Sequence, residues 1–496
     1  MPARLIPFTS PLSPALPIIV GNHDYRQFRD ELLDLDQLLI QSGLEERFVQ
    51  KSVEDWLAQR QPGSPSPSAK AQLRFQEHAR RALRCNLVRV RLGEGFRGLA
   101  ARLADSPLLQ RFCGLGEMDQ IRVPSKSVLQ RYEQWCPEPR VRELVEELLR
   151  TAHQQPLQVG MTEALDLENC FLDTTCMEAP IHFPVDWVLL RDGTRTLMKA
   201  VKLIREQGLK HRMEAPEEFL RRMNRHCIEM SQARTKFASQ RKRKGILRKI
   251  DRLVGVVRQH ALRYRALLEA EWEQTEWSKG QAEQVLRRMN QVLELLPKAR
   301  QQARQRILKG EPVDNAEKLL SLYDPDARVI TRRKAEALVE FGNTLLLTEN
   351  SQGLIVDWEL FRETAPADAH LLLRSLDRVT KVFDQAPDGA GADRGFDSQK
   401  NQEELAQRGI YNGVCPRRPQ QLAQRNRSWK FRKLQSRRAQ TEGRVAIFKN
   451  CFLRCGRRSK GFPHRQLSVT WAVFAHNAWV LIRLGQAQAA QQALAA

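Results

Sequence analysis

A chain of 496 residues is too long for one ordinary hydrophobic core and implies two to four domains. Hydrophobic residues make up 42%, which supplies enough apolar material for real cores. A net charge of +23 costs stability by self-repulsion, so it points to a polyanionic partner: nucleic acid or an anionic membrane surface. The longest apolar stretch, Val469–Leu484, is short for a span and carries His476, Asn477 and Arg483. It predicts a buried helix, so no membrane partner is expected. Residues 1–25 form a Pro-rich tail without the continuous apolar segment of a signal peptide. Nine scattered cysteines show no disulfide framework, which fits a reducing, cytoplasmic setting. Cys451, Cys455 and His464 lack a fourth ligand for zinc, and the cysteines are expected in the core.

In chain order, residues 26–160 show apolar residues at helical spacing, as in FRDELLDLDQLLIQSGL and FRGLAARLADSPLLQRF. The stretch QRQPGSPSPSAKAQ breaks them with a loop. In VPSKSVLQRY, Ser125 or Ser127 can cap a helix carrying Lys126 and Arg131. Such a helix either reads a DNA groove or is an ordinary capped helix. The segment 161–200 contains a strand, LENCFLDT, with Asp173 at its end, then a loop and the start of a helix. The stretch 201–320 is expected to be an inserted helical hairpin, interrupted at Pro297, with a dense basic run RTKFASQRKRKGILRKIDR. That run is either a solvated face or a contact for the DNA backbone. From 321 to 485, β-branched runs with a turn at Glu349–Gly353 alternate with helices, and 486–496 is a tail. The expected fold class is α/β: a partly parallel sheet, split by an all-α insertion after its first strand and preceded by an all-α region.

Asp393 follows a second buried strand, in GADRGFDS, with Gly391, Ala392 and Gly395 leaving room beside it and Arg394 as its neighbour. The ends of strands in open α/β sheets are where ligands bind. Either aspartate alone is equally an ordinary strand end or helix cap. Glu442 is the one acid among sixteen Lys and Arg residues from Arg417 to Arg465. At 100° per residue, Arg438, Glu442 and Lys449 share one stripe of a helix, so a carboxylate stands between two cations. It is either an ordinary ion pair with Arg438 or a metal ligand beside bound phosphate. Carboxylates that hold two divalent ions can offset the charge on both the attacking and the leaving oxygen of a phosphodiester.

These motifs resemble those of the DDE transposases of bacterial insertion sequences, the ISNCY-type members in particular. The LDTT at Asp173, the GADRGFDS at Asp393 and the RAQTEGRVAIFK around Glu442 match in type and order over roughly residues 85–485. The third is similar to the group's Tyr-(2)-Arg-(3)-Glu-(6)-Lys signature, with Gln435 where the tyrosine stands. The resemblance implies an RNase H-like catalytic domain with a mixed five-stranded sheet. It further implies two Mg²⁺ ions, replaceable by Mn²⁺, held by Asp173, Asp393 and Glu442. DNA contacts would fall to Arg438, Lys449, Arg394, Lys126 and Arg131. The partners implied are double-stranded DNA, as element ends and target, and a second copy of the chain. A metal-dependent nuclease without strand transfer and an inactive DNA-binding derivative are the alternatives.

Overall fold

A computed structural model describes the chain apart from residues 1–5, 11–14, 61–64, 118–119, 234–235, 332–337, 455, 457–458 and 496, and the side chains of 117 and 236–239. Its first part is helical, as the periodicity predicts: α1 (His23–Gln41), α2 (Leu44–Ala58), α3 (Ala69–Leu92), α4 (Phe96–Asp105) and α5 (Pro107–Phe112). A small hairpin follows, β1 (Gly116–Glu117) and β2 (Gln120–Ile121), then α6 (Lys126–Glu133) and α7 (Glu138–Gln154). Ser68 and Ser125 start α3 and α6 by accepting from the amides of Ala71 and Val128. The second half of α3 is buried, and there Arg84 pairs with Glu45 of α2 and with Asp36 at 2.6 Å. Burial pushes the Glu45 carboxyl up, but Arg84 and Arg80 outweigh it and hold it below its ordinary range.

The sheet is mixed. Its strands are β3 (Asn169–Glu178), β4 (Arg328–Thr331), β5 (Val339–Asn350), β6 (Ile355–Leu360), β7 (Gly389–Ala392) and β8 (Tyr411–Asn412). β5 has β3 on one side and both β4 and β6 on the other, all antiparallel to it. β7 then pairs parallel with β3, and β8 parallel with β7. β3 does not stop at Asp173 as its sequence suggested. It runs on to Glu178 because the long β5 pairs with it along that whole length. The parallel partner β7, in contrast, ends at Ala392 opposite Leu172.

Between β3 and β4 lies the helical insertion: α8 (Asp186–Glu206), α9 (Pro216–Gln232), α10 (Lys236–Glu271) and α11 (Lys279–Ala303). Its apolar cluster begins at Leu189, so α8 belongs to it, and four helices replace the expected hairpin. Pro297 does not interrupt α11. Leu296, Ala299 and Ala303 on either side of it are buried in that cluster, which offsets the backbone bond a proline removes. A π-helical turn, Arg304–Lys309, follows.

After β6 come α12 (Leu371–Phe383), α13 (Gln399–Gln407), α14 (Pro419–Arg425), α15 (Trp429–Ile447) and α16 (Phe462–Ala495). α16 is long and apolar enough to cross a membrane, but 72% of its apolar window is buried inside the fold. It belongs to one core that also takes in α1, α3 and α7 and the sheet strands β5 and β6. His476 of α16 is sealed between Phe448 and Phe452, and burial lowers its pKa from 6.5 to about 4. A depressed histidine contributes stability above its unfolded value, and that contribution is lost as pH falls from 6.5 towards 4. Glu45 loses its contribution in the same direction, below its ordinary range. Stability should therefore fall on acidification through this window, by roughly 3 kcal/mol from the histidine, and Tm with it. In His476→Phe that share of the pH slope should vanish in thermal melts; an unchanged slope would refute it.

Candidate active site

The parallel register of β3 and β7 brings the two predicted aspartates side by side. Leu172 pairs with Ala392, so Asp173 and Asp393 are the next residues on neighbouring strands. Alternation along β3 turns Asp173 to the same face as Phe171. That is the face covered by α15, because the guanidinium of Arg437 lies 4.8 Å from the centre of the Phe171 ring. The glycine opposite Phe171 makes room for the ring: a Cβ on Gly391 would stand 2.9 Å from Phe171 Cδ1.

α15 is anchored across the sheet. Near its start Ser428 Oγ lies 3.2 Å from Tyr411 Oη, and Gln435 donates to the Gly413 carbonyl at 2.6 Å. Further on, Arg437 donates to Glu349 at 2.9 Å and to the Asn350 carbonyl at 3.0 Å, and Thr441 donates to Glu349 at 2.7 Å. Glu349 and Asn350 pair with Phe171 and Cys170, the start of β3. Arg437 therefore marks the flank of α15 towards that start. Glu442 lies about 140° further round the helix, off that flank. Val445, between them, lines one small void with Leu347, the cross-strand partner of Asp173.

Glu442 is 65% exposed and its carboxylate pairs with Arg438 at 3.5 Å. Among the described residues, no group of three or more His, Cys, Asp or Glu stands close enough to hold a metal ion. The fold thus gathers Asp173 and Asp393 at one point and sets Glu442 on the adjoining helix, without closing the three into one ligand group. Lys449 lies just beyond the regular part of the expected stripe. α15 ends at Ile447 and Lys449 falls in a π-helical turn, where the Leu453 amide bonds to the Phe448 carbonyl. The wider π turn rotates each residue by less than the α-helical angle used to align it.

A third carboxylate at this corner carried no distinguishing signal in the sequence. Asp368 accepts from Thr174 Oγ1 at 3.2 Å. A Cβ on Gly395 would stand 2.7 Å from Asp368 Oδ2 and 3.0 Å from Asp393 Oδ1, so both carboxylates flank the same glycine. The loop that carries Asp393 is tied down: Asp397 accepts from the Arg417 amide at 2.9 Å, and Asn401 donates to the carbonyls of Ala369 and Phe396, both at 2.8 Å. These donors are hard oxygen ligands on a tethered backbone, which suits Mg²⁺ in kind.

Arg394 is exposed next to Asp393. Lys126 and Arg131 lie on the exposed side of α6, whose buried side presents Leu129 and Tyr132. Cys451 is exposed, contrary to the expected core position, because it sits on the outer side of the π-helical turn. Cys455 lies outside the described residues, and His464 meets Gln134 at 3.0 Å. No protein-family model, no characterised protein and no solved structure matches the chain.

Proposed function

We propose that this chain is a DNA transposase that binds the terminal inverted repeats of a mobile element and cuts and rejoins phosphodiester bonds on an RNase H-like catalytic domain. The observation that carries the reading is that Asp173 and Asp393 each follow the last rung, Leu172–Ala392, of the parallel β3–β7 ladder, with Glu442 on the helix that covers that face. The mixed sheet, interrupted by a helical insertion after β3, is compatible with that fold. The high positive charge supplies the attraction to DNA backbone.

Asp173, Asp393 and Glu442 would hold the metal ions, Glu442 by exchanging its contact with Arg438. Bound Mg²⁺ or Mn²⁺ would supply stabilisation of the charge that develops on the attacking and leaving oxygens. The chain's own residues then bind and orient. Arg438, Lys449 and Arg394 hold phosphates beside the carboxylates, Lys126 and Arg131 engage the element end from α6, and Asp368 braces Thr174 and the Gly395 corner. A second copy of the chain would pair the second DNA end, in a cytoplasmic setting.

The test is the purified chain with DNA carrying the element's ends and Mg²⁺, scored for cleaved and joined products. Absence of cleavage with both Mg²⁺ and Mn²⁺ would overturn the reading, and cleavage without joining would reduce it to a nuclease. A sharper check uses Gly395→Ala. The added methyl must displace Asp368 or Asp393, so cleavage should fall about a hundredfold while DNA binding holds. Wild-type cleavage by that variant would exclude the corner from the chemistry.

A further inference from the structure

Away from the carboxylates, a second feature combines an open space, positive charge and an exposed ring. β3 leads directly to it. The strand continues five residues past Asp173 to Glu178, roughly 17 Å at strand rise. The following segment, with Phe183 and Trp187, then forms one wall of a cleft of about 710 Å³. The other walls are the start of α10, with Arg243 and Lys244, and the turn Arg306–Pro312. This volume lies inside the range of about 300–1,000 Å³ usual for ligand sites.

Four cations, Arg243, Lys244, Arg306 and Lys309, line the cleft against two carboxylates, Asp186 and Glu311. Those carboxylates are already engaged: Asp186 takes Arg306 at 2.8 Å, and Glu311 takes Lys309 at 3.8 Å. Arg243 and Lys244 have no carboxylate partner among the described residues, and Arg243 Nε is buried without a hydrogen-bond partner. The cleft therefore retains two cations to offer an anion. Phe183 is 75% exposed and is steadied by a T-shaped contact with Phe341, with ring centres 5.5 Å apart. An exposed, oriented aromatic ring beside unpaired cations suits a ligand that alternates flat apolar faces with negative charges.

We propose that this cleft binds an unpaired stretch of DNA, with a base stacked on Phe183 and flanking phosphates held by Arg243 and Lys244. Inside a duplex the bases keep their faces stacked on one another, so none along its length is offered to Phe183. The identity of the anion as DNA rests on the function proposed above; the ring, the cations and the space do not.

The experiment measures fluorescence anisotropy of the full chain with a labelled thymidine 12-mer and with a blunt 12-base-pair duplex. Phe183→Ala should weaken 12-mer binding about tenfold and leave the duplex unchanged, and Phe183→Trp should restore it. Because the ring is mostly in solvent, the substitution leaves the fold intact. The double variant Arg243→Ala/Lys244→Ala should lower the slope of log affinity against log salt by about 1.4 for the 12-mer. Wild-type 12-mer affinity in Phe183→Ala would overturn the proposal. So would an equal loss by Phe183→Ala for labelled polyglutamate, which would mark the cleft as a site for acidic polypeptide. The two readings fail separately: a chain that cannot cleave with Mg²⁺ but shows the Phe183 effect refutes only the transposase, and the reverse result refutes only the cleft.

Discussion

Glu442→Gln is expected to reduce Mg²⁺-dependent cleavage on the order of a thousandfold or more, while binding to the element ends stays within about twofold. Glutamine keeps the shape of the side chain and its reach but removes the charge a metal ligand needs. Glu442 is a surface group on α15, paired among the described residues with Arg438 at 3.5 Å, so its loss costs the fold little. An exposed ion pair has no reason to matter for catalysis. A severe loss of cleavage with an unchanged melting temperature would therefore distinguish a ligand from a surface pair. Wild-type cleavage rates in the variant would remove Glu442 from the site and leave Asp173 and Asp393. Measuring cleavage across Mg²⁺ concentrations adds a second readout, since a lost ligand raises the metal needed for half-maximal rate.

The second large effect concerns stability. Arg465, at the start of α16, is fully buried and pairs with the equally buried Asp324, which follows the helical insertion. Its Nη2 donates to Asp324 at 2.9 Å and its Nε to Asn343 of β5 at 2.8 Å. Arg465→Ala would leave Asp324 charged and without its partner inside the protein. That should cost about 3–5 kcal/mol, a fall in Tm of roughly 10 °C. The apolar pair Arg465→Met/Asp324→Leu should recover most of it, because the charge to be desolvated is then absent. A loss below 1 kcal/mol for the single change, by chemical denaturation, would show that water reaches Asp324 after the substitution.

Several of these features were legible in the sequence and several were not, for identifiable physical reasons. The helical periodicities, the hairpin turn before β6 and the small residues around Asp393 depend on local chemistry and appear where expected. The extent of β3 does not depend on local chemistry alone. Asp173 looked like a strand end because a charge follows an apolar run, yet a strand ends where its partners end. β5 pairs with β3 past that point and β7 stops beside it. Pro297 was misleading for a related reason: a local penalty yields to the buried residues around it. Asp368 stayed invisible because an aspartate ahead of a helix is common and only the fold brings it to Gly395. The π turn that carries Lys449 gave no sign in the sequence.

The division of apolar residues into two clusters carries a consequence for how the chain can change. The insertion closes its core among its own four helices, whereas the N-terminal helices share theirs with the sheet and α16. Lengthening, trimming or exchanging the insertion would disturb little beyond its two junctions. Excising the N-terminal helices would strip an apolar covering from the sheet and from α16. The basic cleft, lined partly by α10, is thus on the exchangeable portion, and the carboxylates are on the portion that is not. On the proposed function, a lineage of such chains could revise which strands it grips while leaving the cutting chemistry untouched.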